Sequence, residues 1–357
     1  MKYFGLPAAV FALAAALLPG YLSCQKPEGP AANDEAPGQE EEVPYVEPDH
    51  APVRPSGEGW VSENVDDGIV YWHFQGTDPV SGVSQSVHVA DVDLNKEWGL
   101  EFTYDPRGVK TSDRFKEYGA TVAMNGGFGA SQIFIKESGI VRREIDHDES
   151  DGIPNWRNDA AICVSSTDSV FICNNICNST NPGKSLYGAA VKEQRDFFKN
   201  DMADVPDIIS GSPLLIYGYD AYGLTFVPMF VTMAQAEIRY AYEHPYRHQG
   251  VRHPRTAVGI TADNHLIMLV ADGRYNSYCC GFTCKELTNF LISNFDPKYA
   301  MNLDGGGSST LCVAGFGDED THVVNYPCDN GELDYDGERT VQTHICVIKR
   351  GLCTHTR

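Results

Sequence analysis

Residues 299–311 read Y-A-M-N-L-D-G-G-G-S-S-T-L. Asn302 and Asp304 close a short apolar run. Gly305, Gly306 and Gly307 follow with no side chain among them, and then Ser308 and Ser309. Three consecutive glycines are entropically costly to order. A folded chain keeps them where the backbone must take positive φ or meet another group closely. Successive N–H groups in such a loop can form an anion-binding nest. No lysine follows the last glycine, so this is not a P-loop. The G-x-S-x-G pattern of a nucleophile elbow is missing too. No histidine stands near Ser308 or Ser309 in the sequence to act as base, which disfavours serine-hydrolase chemistry. The plain alternative for this stretch is a flexible hairpin turn.

A second glycine loop, Asn125-Gly126-Gly127, also follows a short apolar run and also opens on an asparagine. Further polar groups stand where apolar runs begin or end: Arg255, Asp272, Arg274, Glu338 and Arg339. Each alone reads as a turn-former or a surface ion pair. Together they read as polar residues leaving a sheet near one rim, with rigid strands carrying the loops that hold a site.

The elements that must position them follow from hydrophobic period. Strands are expected over 69–74, 84–94, 120–124 and 214–217. Hairpins are expected over 160–173 and over 255–271, the latter turning at Asp263-Asn264. Thr111-Ser112 can cap a short helix that Gly119 stops, and residues 191–202 suit an amphipathic helix. Thr283-Cys284-Lys285-Glu286 is a capping box opening a helix to residue 294 with Leu287, Phe290 and Leu291 on its apolar face. Residues 228–250 show no clear period and read as a long loop. Strands outnumber helices and no regular βαβ succession occurs. The expected fold class is α+β, a single domain with a central mixed, largely antiparallel sheet flanked by a few helices.

Composition bounds the rest. The chain has 357 residues and a net charge of −22, which disfavours nucleic acid and anionic membrane surfaces. An anionic substrate would need a local arginine cluster. Residues 1–24 read as a secretory signal of the bacterial lipoprotein type, with Cys24 as the lipidation point, or as an ordinarily cleaved signal. Residues 25–58 are proline-rich and acidic and read as a disordered tether, leaving 59–357 as the folded domain. The expected location is the exported face of a bacterial envelope, with the membrane reached only through the lipid. Setting Cys24 aside, the 11 cysteines leave ten, an even number in a disulfide-permissive compartment; Cys163 and Cys173 could face each other. The C-x-x-x-C spacings 173/177 and 280/284, and the pair His244/His248 interrupted by Pro245, fit poorly with structural zinc. The sequon at Asn178 reads as a loop.

In order along the chain, V-H-V-A-D-V-D-L (87–94), A-T-V-A-M-N-G-G-F (120–128), G-S-P-L-L (211–215), P-R-T-A-V-G-I (254–260), L-V-A-D-G-R (269–274), N-L-D-G-G-G-S-S-T-L (302–311) and G-E-R-T-V (337–341) resemble the phosphodiester glycosidase family. Gly129 departs from a common second phenylalanine, and Cys279-Cys280 with Cys284 looks peculiar to this chain. The resemblance implies hydrolysis of a sugar-1-phosphodiester, such as one of N-acetylglucosamine, at the anomeric C–O bond, with a phosphorylated glycan as the natural partner. It implies Asp304 as the first-choice carboxylate, with Glu338 or Asp272 second. Substrate would be held by Asn125, Gly126, Gly127, Arg255, Thr256, Arg274, Asn302, Gly305, Gly306, Gly307, Ser308, Ser309 and Arg339. Arginine forks suit phosphate. No cofactor is required by this chemistry, although a divalent cation between Asp304 and Asp272 is conceivable. The rival readings are a non-catalytic glycan-binding lipoprotein and a phosphodiesterase that cuts the P–O bond.

Overall fold

Successive side chains of β13 explain how the domain is layered. Leu266, Met268 and Val270 point into one buried cluster, while Ile267, Leu269 and Ala271 point into another. A strand apolar on both faces must be covered on both faces. The computed structural model describes residues 50–129, 132–145, 156–176, 189–225, 233–239, 244–275 and 277–354.

In chain order, β1 (Trp60–Asp66), β2 (Ile69–Thr77), β3 (Ser84–Asp93) and β4 (Trp98–Val109) lead into α1 (Thr111–Tyr118). Next come β5 (Val122–Asn125), β6 (Ile135–Glu137), β7 (Ile140–Arg143), β8 (Ala160–Val164) and β9 (Val170–Asn174). Helix α2 (Ala189–Asp196) precedes β10 (Asp207–Gly211) and β11 (Leu214–Tyr217). Two short helices, α3 (Met233–Arg239) and α4 (Pro245–Gly250), precede β12 (Arg255–Ile260) and β13 (His265–Ala271). The chain closes with α5 (Cys284–Phe295), β14 (Tyr299–Asn302), β15 (Leu311–Val313) and β16 (Val341–Lys349).

The strands form three sheets rather than one central sheet. Their orders are β1-β2-β3-β13-β12-β14-β11, β7-β6-β10-β8-β9 and β15-β5-β16-β4. Every pairing is antiparallel. The main core lies where the inner faces meet, with Val92, Met268 and Met301 from the first sheet, Ile162 from the second and Met124 and Ile345 from the third. The outer face of the seven-stranded sheet is covered by α5 through Leu287, Phe290 and Leu291. The Thr283/Glu286 capping box forms as expected, and Asp296 in the left-handed conformation ends the helix. The β12–β13 hairpin turns at Asn264, φ 64°.

Several expectations need correcting. Residues 228–250 are not all loop, since α3 and α4 lie there. Pro245 is the first residue of α4 and His244 its N-cap, so the proline opens a helix instead of breaking one. Helix α1 is preceded by Lys110, which makes no side-chain cap, and Thr111 and Ser112 lie inside the helix. The compact unit starts at residue 49. The last residues of the expected tether lie against it: His50 Nδ1 is 2.9 Å from Asp296 Oδ2, and Arg54 reaches Asp91 at 2.6 Å and Asp263 at 3.0 Å. A segment too polar to fold alone is held here by ion pairs with the domain. The signal, Cys24, the tether up to residue 49, Cys177 and the Asn178 sequon lie outside the described residues. Among the described residues no helix is long and apolar enough to cross a membrane. Among the nine described cysteines no two sulfurs stand at disulfide distance. Across the β8–β9 hairpin Cys163 pairs with Phe171 and Cys173 with Ala161, so the two sulfurs meet diagonally and not as direct partners.

Candidate active site

Antiparallel pairing brings four chain segments to one edge of the large sheet. Arg255 at the start of β12 lies opposite Ala271 at the end of β13. Ala257 lies opposite Asn302 at the end of β14, and Met301 opposite Leu214 at the start of β11. His253, Asp272–Arg274, Ser212–Pro213 and the loop after Asn302 therefore emerge together. A cavity of about 200 Å³ opens among them. Arg247, Arg255, Arg274 and Arg339 line it, with His248, His253 and a single carboxylate, Asp304. Phe128, Trp156 and Pro213 supply apolar lining.

The glycine loop is fastened to the protein on all sides. Asn125 Nδ2 donates to the Asp304 carbonyl at 2.9 Å, and its Oδ1 accepts from Thr310 N–H at 3.1 Å and Thr256 Oγ1 at 3.0 Å. The Ser309 hydroxyl lies 3.2 Å from Thr256 Oγ1 and can donate to it. Asn302 Nδ2 donates to the Ser212 carbonyl, 2.8 Å, while its Oδ1 is buried without a hydrogen-bond partner. Gly306 takes φ +65° and donates its N–H to the Pro254 carbonyl at 2.9 Å. The N–H groups of Ser308 and Ser309 already have acceptors at Gly305 and Gly306. The nest expected from the glycine run is thus largely occupied by its own chain.

Close approach explains the other glycines. A Cβ on Gly305 would stand 2.6 Å from the Pro254 carbonyl, and one on Gly307 would meet the Arg339–Asp329 pair. A Cβ on Gly126 would stand 2.5 Å from Thr343 Oγ1, and one on Gly127 2.6 Å from the Ser210 carbonyl. Of the residues expected to hold substrate, Asn125, Gly126, Gly127, Thr256 and Ser309 instead build the frame. Ser308 hydrogen-bonds the Asp304 carboxylate.

The three candidate carboxylates separate. Asp304 lines the cavity; burial pushes its carboxyl pKa up, against the opposing pull of Ser308, Arg157, Arg339 and the Gly305 N–H. Asp272 lies off the cavity lining, 1% exposed. Its Oδ2 accepts from Ser86 Oγ at 2.9 Å and lies 3.2 Å from His88 Nε2. Its Oδ1 accepts from Asn325 Nδ2 at 3.1 Å and Tyr326 N–H at 2.9 Å. Asn325 in turn bonds the Ser309 carbonyl and the Leu311 N–H, so Asp272 fixes the far end of the glycine loop. No group of three or more side chains that could hold a metal ion occurs among the described residues.

Glu338 is engaged elsewhere. Its Oε1 accepts the Ser112 N–H at 2.7 Å and its Oε2 the Ser112 hydroxyl at 2.6 Å, which caps α1 from outside. Burial raises its pKa, partly offset by Ser112. Glu338→Ala is expected to lower the unfolding free energy by about 2–3 kcal/mol, because a buried helix start loses two charge-assisted bonds. Glu338→Gln, which keeps an acceptor, is expected to lose less than half of that in denaturant titrations. Equal stability of Glu338→Ala and wild type would contradict this role.

The arginines also differ. Arg255 Nε donates to the Phe282 carbonyl at 2.8 Å, and its Nη2 to the carbonyls of His248 and Val251 at 2.6 and 2.7 Å. It ties the end of α4 to the segment leading into α5 while keeping its charge at the cavity. Arg339 is paired in fork fashion with Asp329, whose carboxyl it holds below the usual range. Arg274 is exposed, with φ 72° and a 3.3 Å contact from Nη1 to Cys328 Sγ. Sequence reasoning missed Trp156, Arg157, Arg247, His248 and His253. The Arg157 guanidinium lies over the Trp156 ring at 4.6 Å and the Phe128 ring at 5.2 Å. A three-residue turn carries it, and no periodic signal marks such a turn.

The pattern that defines the phosphodiester glycosidase family matches residues 118–348, more than half of the chain. The protein belongs to this family. The N-acetylglucosamine-1-phosphodiester alpha-N-acetylglucosaminidase of Bos taurus is 34% identical over 94 residues, and that of Homo sapiens 33% over 94. The match takes in 26% of this chain and only 16% of the length of each relative. The solved catalytic domain of the zebrafish enzyme, auto-inhibited by its pro-peptide, superposes with a TM-score of 0.52 at 18% identity. That superposition covers 84% of this chain and 87% of the other, a likeness of fold.

Proposed function

We propose that this phosphodiester glycosidase hydrolyses sugar-1-phosphodiesters at the anomeric C–O bond, giving free sugar and a phosphomonoester. The observation that carries the reading is a cavity lined by four arginines and one carboxylate in a chain of net charge −22. A protein so acidic concentrates cations in one pocket where an anion must be held. Arg274 holds the phosphate as a forked donor, and Arg255, with Nε and Nη2 already engaged, adds its charge and Nη1. Arg339, already neutralised by Asp329, shapes the loop and its field. Asp304 serves the anomeric carbon, taking a proton from the attacking water. A phosphate leaves readily, so the cavity has less need of the second, acidic carboxyl of an ordinary glycosidase.

The family relatives named for N-acetylglucosamine-1-phosphodiesters make that sugar the first to test. The leader and Cys24 support export with a lipid anchor. The full chain is expected to release free N-acetylglucosamine from its 1-phosphodiesters. Saturable binding to a panel of such diesters with no turnover would favour the glycan-binding reading instead.

A further inference from the structure

His253 is a cavity group that the reading above leaves without a task. Its main chain is clamped: its N–H donates to the Phe282 carbonyl at 3.2 Å, and the Phe282 N–H returns to its carbonyl at 3.1 Å. Two glycines let neighbouring backbone close on it. A Cβ on Gly281, φ +75°, would stand 2.3 Å from the His253 carbonyl oxygen, and one on Gly273 3.0 Å from its carbonyl carbon. The next residue, Pro254, accepts the Gly306 N–H at 2.9 Å. His253 and Asp304 therefore reach one cavity from two laced segments of fixed spacing.

The imidazole lines the cavity. Its Nδ1 is buried and no hydrogen bond reaches it. The charges around it are Arg255 on β12, Arg274 after β13, and Arg247 and His248 on α4, with Asp304 sharing the cavity. A buried lone pair is better tolerated among guanidinium groups than a buried N–H, which places the proton on Nε2. Burial first, and then these cationic neighbours, push its pKa down to about 2. Protonating the ring, which would set a further positive charge beside these cations, is disfavoured.

Resting on the phosphodiester glycosidase reading, we propose that His253 is a catalytic residue that stays neutral and donates an Nε2–H hydrogen bond to the departing phosphate oxygen. The C1–O bond breaks with its electron pair remaining on that oxygen. Water supplies the new hydroxyl on C1, and its proton passes to Asp304. The phosphomonoester leaves as an anion and needs no proton from the ring. A neutral imidazole serves here as an electrophile because neighbouring positive potential keeps it unprotonated, a use of histidine known from isomerase chemistry. It acts on charge that grows as the bond breaks, so its effect falls on kcat.

The test uses the full chain with the methyl phosphodiester of N-acetylglucosamine 1-phosphate. His253→Ala is expected to lower kcat about 100- to 1,000-fold, the usual loss for one such donor, with KM changed only a few-fold. His253→Gln offers a carboxamide N–H that does not titrate. It is expected to recover at least about tenfold in kcat over the alanine variant and to keep the wild-type shape of the pH profile. Nitrogen NMR of the wild-type ring, with saturating inorganic phosphate, is expected to show a neutral Nε2–H tautomer. An alkaline limb in kcat that disappears in His253→Gln, or a ring that titrates near neutrality with phosphate bound, would overturn the proposal. Equal losses in both variants would do the same by assigning His253 a structural role. Wild type inert on the diester would sink the activity itself; the NMR result then still decides the protonation state.

Discussion

Asp304→Asn is expected to leave the protein folded and to lower kcat on a sugar-1-phosphodiester by about 100- to 10,000-fold, the range typical of a positioned general base. The substitution keeps the shape of the side chain and an acceptor for Ser308, and it removes the only carboxylate on the cavity lining. It also has a stability signature. Burial raises the folded-state pKa of Asp304 above its unfolded value, so ionising it disfavours the fold as pH rises through the folded pKa. Below the unfolded pKa both states are protonated and this cost is absent. Asp304→Asn is therefore expected to be more stable than wild type at neutral pH, with the difference shrinking in acid. Turnover by wild type is expected to fall on the acid side at a pH higher than an unperturbed aspartate would set. Full turnover in the folded variant would remove Asp304 as the key carboxylate.

Arg274→Met is expected to raise KM for the same diester about 10- to 100-fold with a smaller change in kcat. That range is the worth of a charge-assisted hydrogen bond to the bound phosphate, about 1.5–3 kcal/mol. Arg274 is the cleanest of the four cavity arginines to remove. Arg255 holds three backbone carbonyls, so its loss damages α4 as well as the site. Removing Arg339 would strand the Asp329 carboxylate. The positive φ of Arg274 is uncommon for a long side chain, and the residue lines the cavity. Arg274→Lys keeps the charge and loses the fork, and is expected to fall between wild type and Arg274→Met. Unchanged KM in Arg274→Met would contradict phosphate binding at this position.

The parts of this fold and site that a sequence discloses are those with a local signal. The α5 capping box, the β12–β13 hairpin and Asp304 beside its glycines all carry their chemistry within a few residues. The roles of Glu338 and Asp272 were not legible, because each depends on a partner far along the chain. Glu338 is claimed by Ser112 on α1, and Asp272 by Ser86, His88, Asn325 and Tyr326. Their spacing next to Arg339 and Arg274 resembles catalytic placement, while each is buried off the cavity lining with hydrogen-bond partners of its own. The glycines mislead in a similar way. Gly126, Gly127, Gly305 and Gly307 mark close approach, as expected, but what approaches is Thr343, Ser210, Pro254 and the Arg339–Asp329 pair. His253 gives no local signal at all. It matters because β12, α4 and the loop after β13 surround it with cations, and that environment is assembled only in three dimensions.

The bond that breaks decides the account. Hydrolysis of an N-acetylglucosamine-1-phosphodiester by the full chain in oxygen-18 water, with mass analysis of both products, reads it directly. Cleavage between the anomeric carbon and oxygen predicts the heavy isotope in the free sugar and none in the phosphomonoester. Heavy oxygen in the phosphate group, whether carried by the phosphomonoester beside an unlabelled sugar or by sugar-1-phosphate beside the released alcohol, would contradict the central claim and make the protein a phosphodiesterase.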